Sequence, residues 1–238
     1  MRGPDLTSTE VTLGCNSLLD SSPNEVTRTV VTTICHPEFN SLTRENDICV
    51  LKLSAPVNFT DYIQPICLAS ENSTYNNETS SWIIGFNFDG DGLQEANVGI
   101  VENNECKLSH PGIKENMICA GETDLCLRTT GGPLMTESDS VWVQGGVYSV
   151  LDCTGAPKIY TRVSQYQKWI SDTVTGRPPV FVTFTSPDSS SQTTAPPTAP
   201  TTAPICDSLF CSGENLIHFT SLCVLVVLLH VFAGTGGK

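Results

Sequence analysis

From Ser186 to Pro204 the chain has no apolar residue larger than alanine or proline, and a stretch of that kind cannot bury a core. It divides the 238 residues into a part that must do all the folding and a tail. Proline-rich chain runs at ~3.1 Å per residue, so the stretch reaches up to ~60 Å. Its threonine density predicts an O-glycosylated, mucin-like stalk, with a plain linker as the alternative. Beyond it, Leu216 to Ala233 is apolar and contains the dense run Leu222-Cys-Val-Leu-Val-Val-Leu-Leu229. About 18 residues is marginal for crossing a hydrocarbon core of roughly 30 Å. Small residues, Ser212 and Gly213, lie ahead of the run. The tail therefore reads as a GPI-attachment signal, as a single-pass helix, or as an apolar end without a membrane role.

Ahead of the stalk the periodicity is that of strands. Val11-Thr-Leu-Gly14, Thr27 to Ile34 and Ile48 to Leu53 are short runs rich in β-branched residues. One helix is predicted over Val163 to Val174, where Val163, Tyr166, Trp169, Ile170 and Val174 share a face. A formal charge of −13, from 12 basic against 25 acidic residues, disfavours nucleic acid as a partner, because phosphate binding relies on basic patches. Eleven cysteines predict an oxidising, secretory setting, and the sequons at Asn58, Asn72 and Asn77 predict a glycoprotein surface. No C-x-x-C or H-x-x-x-H pair occurs, so neither a metal nor any other cofactor is expected. Met1 to Glu10 is polar and does not read as a signal peptide. Secretory cysteines without an entry signal are reconciled if the sequence is truncated at its start or is a mispredicted gene product.

Ordered blocks then carry a family resemblance. Asn46-Asp-Ile-Cys-Val-Leu-Lys-Leu53, Ile63-Gln-Pro-Ile-Cys-Leu68, Ser81-Trp-Ile-Ile-Gly-Phe86, Asn116-Met-Ile-Cys-Ala-Gly121, Trp142 to Ser149 and Ile159 to Ile170 follow one another. They resemble, in order, successive motifs of the trypsin-like serine proteases. Asp124-Leu-Cys-Leu-Arg-Thr-Thr-Gly-Gly-Pro133 is similar to that family's nucleophile loop, D-S-C-x-G-D-S-G-G-P. The resemblance runs from about Leu13 to about Thr175.

It implies an all-β fold of chymotrypsin-like antiparallel barrels. The first would be incomplete over residues 1–68, and the second complete, with a C-terminal helix, over 69–177. A stalk over 178–211 and an anchor signal over 212–238 would follow. The absent opening strands leave an edge in the first barrel. The resemblance also implies site residues. Asp47 stands at the triad carboxylate, Thr130 at the nucleophile serine, Thr129 at the buried aspartate and Arg128 at the oxyanion glycine. The substrate pocket would include Asp124 at its base, Ser149 as the residue that caps Asp47, and Lys158 in place of a wall glycine, with Leu151 a candidate for the next. The Lys158 ammonium either reaches into that pocket as a substitute for a substrate cation or bends into solvent. Disulfides Cys106–Cys119 and Cys126–Cys153 are implied, while Cys67 is orphaned. Cys15, Cys35 and Cys49 have no counterpart, and their parity predicts a free thiol.

Acyl transfer by this chemistry needs a hydroxyl, an imidazole beside it and a carboxylate that holds the imidazole. Only the carboxylate is matched. His36 fits an exposed H-P-x-[FY] turn and is expected at the surface; His110 falls in a loop, and His218 and His230 fall in the tail. The expectation is a catalytically inactive protease homologue on a stalk, bound to a protein partner and tethered to a membrane by its tail. A trypsin-like endopeptidase and a mucin-like structural surface protein are the alternatives.

Overall fold

The computed structural model describes residue 6 and residues 8–86, 92–121, 130–150, 156–176 and 178–187. Strands β1 (Glu10–Leu13), β2 (Val26–Cys35) and β3 (Cys49–Leu53) form an antiparallel sheet in the order β1-β2-β3. Alternation puts Val11, Leu13 and Val30 on one face, where they are buried with Leu6 and Ile63. A bulge between Val30 and Thr32 breaks the period and leaves Val31 exposed. Cys35 lies opposite Cys49, and a disulfide joins them. Among the described residues β1 and β3 each have a single strand neighbour, which is the open edge expected of an incomplete first barrel.

The second sheet closes on itself. Strands β5 (Ser80–Phe86), β6 (Leu93–Val101), β7 (Met117–Ala120), β8 (Pro133–Ser138), β9 (Val141–Tyr148) and β10 (Lys158–Arg162) run in the order β10-β7-β6-β5-β8-β9, and β9 pairs back to β10. Closure removes both edges. Ile83, Val98, Ile100, Ile118, Leu134, Tyr148 and Tyr160 fill the interior. Burying a side chain such as Ile118 contributes about 1.5–3 kcal/mol. Where β8, β9 and β10 cross, a Cβ on Gly146 would meet the Tyr160 Cβ at 2.9 Å and the Leu134 Cβ at 3.1 Å, so only glycine lets these strands approach.

The predicted helix is present in two pieces, a 3-10 turn over Val163–Tyr166 and α2 over Gln167–Thr173, α1 being the single turn Asn103–Cys106. Its expected stripe packs as foreseen. Val163, Tyr166 and Ile170 are buried against Ile48, Leu68 and Val147, with Trp169 and Val174 partly buried beside them. This cluster joins the open sheet to the barrel.

Past the helix the structure departs from the expected boundary at 178. Strand β11 (Phe181–Val182) pairs in parallel with β4 (Cys67–Ala69), which itself pairs in parallel with β9. Phe184 is buried and stacks on Tyr75 at 4.9 Å. Ser186, also buried, bonds through its hydroxyl with Thr79 at 2.7 Å. Residues 178–187 are therefore a folded strap on the barrel. Phe181, Val182 and Phe184 supply the apolar contacts that proline and threonine content obscured.

Candidate functional site

Asp47 sits where the two sheets meet. Asn46 before it is left-handed at φ 57°, which turns the chain inward; asparagine tolerates this conformation better than most residues. Asn46 Oδ1 accepts from Asn116 Nδ2 at 3.2 Å and from the Tyr166 hydroxyl at 3.1 Å. Asp47 is 5% exposed. Its Oδ2 accepts from Ser149 Oγ at 2.5 Å, and its backbone carbonyl accepts from Thr161 Oγ1 at 2.8 Å. Burial pushes its carboxyl up to about 6, opposed by the Ser149 bond and by the Arg44 charge. Ser149 follows β9 and is itself buried.

Thr130, partly buried, leads into a turn at Gly131, whose φ of +92° favours glycine. Gly131 N donates to Tyr148 O at 2.7 Å, and Tyr148 N donates to Gly132 O at 2.8 Å. This fastens the nucleophile-position turn to the residue just before Ser149. The turn and the buried carboxylate are thus held by consecutive residues at the end of one strand.

Lys158 is 2% exposed, which rules out the solvent-facing alternative. It lines a small crevice with Ile83, Ile84, Gly132, Pro133, Tyr148 and Tyr160. Asp124, Cys126, Arg128, Thr129, Leu151 and Cys153 lie outside the described residues.

His36 is packed where the sequence predicted a surface side chain. Its ring lies 5.5 Å from that of Tyr166 and 5.2 Å from that of Trp169, and its Nδ1 accepts from Glu38 N at 3.3 Å. Burial lowers its pKa against the opposing Glu38 charge. The helix stripe was legible, but the partner of its aromatic end was not. His110 holds the Pro157 carbonyl through Nε2 at 2.7 Å.

Cys106 and Cys119 form a disulfide. Cys67 is also disulfide-bonded, which corrects the orphan expected from its position. Cys15 is buried, with Sγ donating to Thr12 O at 3.9 Å. Asn58 and Asn72 are exposed, whereas Asn77 is partly buried and its Oδ1 accepts from Glu102 N at 3.2 Å. Among the described residues no cluster of histidine, cysteine or carboxylate suits a metal ion, and no helix is long and apolar enough to cross a membrane. The apolar tail lies outside them.

No sequence motif pointed to the Asn46–Asn116–Tyr166 network or to Thr161. Their contacts span 70, 120 and 114 positions, and no local pattern announces such a contact.

The family model for trypsin matches residues 3–170. A tryptase of Mus musculus is 34% identical over 165 residues, covering 60% of this chain and 60% of its own length. The chain thus spans about 60% of the tryptase it matches.

Proposed function

Because the chain belongs to the trypsin family, we propose that its β-barrel head is a serine-protease homologue that binds protein without cleaving it. The observation that carries this reading is Thr130 at the nucleophile position of a turn whose glycine geometry is otherwise kept. A threonine hydroxyl brings a β-methyl that restricts its rotamer and crowds an incoming carbonyl. Arg128 at the oxyanion position removes the backbone freedom of glycine there, and loss of one oxyanion donor costs about 2.7–4 kcal/mol of transition-state stabilisation. His36, the histidine nearest Asp47 in sequence, packs its ring on Tyr166 and Trp169.

The retained Asp47–Ser149 pair favours a second reading, that of a trypsin-like endopeptidase. A fluorophosphonate probe separates the two. We expect no labelling of the protein and no turnover of arginine or lysine amides. The Thr130→Ser variant should stay equally silent, since nucleophile, base and oxyanion geometry act as a unit. Labelling at Thr130, or amidolysis gained by Thr130→Ser, would establish the endopeptidase.

Disulfides in a domain of this family suggest an extracellular or secreted protein. We further propose that the Thr/Pro-rich stretch is a stalk and the tail a GPI signal, with small residues Ser212 and Gly213 ahead of the apolar run. Expressed behind a signal peptide, the protein should appear on the cell surface and be released by phosphatidylinositol-specific phospholipase C. Surface protein that resists the lipase but yields to detergent would mean a spanning helix instead.

A further inference from the structure

We propose that Asn72 and Asn77 carry N-linked glycans that stand on either side of the strap and shield the point where the head passes into the stalk. This rests on the extracellular reading, since the transfer takes place in the secretory pathway. Both residues sit on turns of the segment that grips the strap. Ser73 N donates to Ser70 O at 3.0 Å, with Asn72 in the bend, and Thr79 N donates to Asn76 O at 3.2 Å, with Asn77 in the next. The clasp is made between them. Thr74 N donates to Phe184 O at 2.8 Å, Ser186 N donates to Thr74 O at 3.2 Å, and Asn76 N donates to Ser186 Oγ at 2.9 Å. Thr183 and Thr185 of the strap are exposed, so its solvent side lies open to a protease unless something covers it.

The chemistry of the two amides allows it. In the transfer, Nδ2 of the sequon asparagine displaces diphosphate from C1 of a lipid-linked oligosaccharide. The N–C1 bond forms, the C1–O bond breaks with its electron pair leaving on the diphosphate, and Nδ2 loses one proton. Asn72 is exposed, and its amide makes no hydrogen bond among the described residues. Asn77 is half-buried, but the fold uses the other end of its amide. Its partner, Glu102 N, is a donor, so the atom facing it at 3.2 Å must be Oδ1, and Nδ2 is left outside that bond. The strap does not compete for the sequon. Ser186 Oγ closes on Thr79 Oγ1 at 2.7 Å across 107 positions, so in a chain made from its N-terminus Asn77 meets the transfer before Ser186 has been added.

The test uses the full-length protein expressed behind a signal peptide. Peptide N-glycosidase F in heavy-oxygen water leaves a labelled aspartate wherever a glycan was attached, and mass spectrometry should find label at both Asn72 and Asn77. Limited proteolysis of the folded protein should cut within residues 178–187 at least about fivefold faster once the glycans are removed. The double variant Asn72→Gln/Asn77→Asp, which keeps an oxygen facing Glu102 N, should show the same acceleration. Asn58→Gln should not, because that sequon follows β3 in the open sheet. Label missing from Asn72 or Asn77 would overturn the proposal. Label at Asn58 in that case would leave the extracellular reading standing, and none at any sequon would sink both. Cutting that is unchanged by loss of the two glycans, or hastened equally by Asn58→Gln, would overturn the shield.

Discussion

Replacing Asp47 by asparagine is expected to stabilise the protein at pH 7.5 by about 2 kcal/mol, although the substitution removes a group the family uses for catalysis. The folded carboxyl titrates near 6, whereas in the unfolded chain it titrates near 3.9. Between those values the folded state holds a proton that the unfolded state has released. Stability is therefore fully present below about pH 4 and falls as pH rises through 6. A shift of roughly two units corresponds to about 3 kcal/mol. The value near 6 already counts the charge-assisted bond from Ser149; asparagine stays neutral and still accepts from Ser149, but its amide N–H groups need acceptors in the same buried place, which trims the gain. Urea unfolding at pH 4.5, 6 and 7.5 checks this. The native protein should lose stability across the series, and the variant should not. A variant less stable than native at pH 7.5 would mean that the bonds made by the carboxylate outweigh the cost of its burial.

Phe184→Ala is expected to lose about 3 kcal/mol, or roughly 6–12 °C in melting temperature. The ring is buried and stacked on Tyr75, so truncation removes the main apolar contact of the strap. Limited proteolysis should then cut within residues 178–187, which the native protein protects. A loss below about 1 kcal/mol, without new cleavage, would show that the strap is not part of the cooperative fold.

The sequence revealed what local periodicity and ordered motifs carry, and missed what distant residues build together. The helix face from Val163 to Ile170 was legible because every third or fourth residue is apolar. The strands of the open sheet were legible as β-branched runs, to within a residue or two. The pairing of Cys35 with Cys49 was not, since it depends on the β2–β3 register. Nor was the strap, because Phe181, Val182 and Phe184 occupy a segment whose composition shades into the stalk. At the site, motif position brought Asp47 and Ser149 to attention, and they do touch. The burial of Lys158 and the packing of His36 are properties of the assembled barrel and helix, and no neighbour in sequence encodes them.

The bond between Cys35 and Cys49 changes what a cut in the intervening loop can do. Leu42, 94% exposed, stands out in that loop, near Arg44. Hydrolysis there would open a ring and would not divide the molecule. The nicked protein would gain the mass of one water and run as a single species until a reductant separated its two pieces. An intact band under non-reducing conditions therefore says nothing about whether residues 36–48 are still continuous.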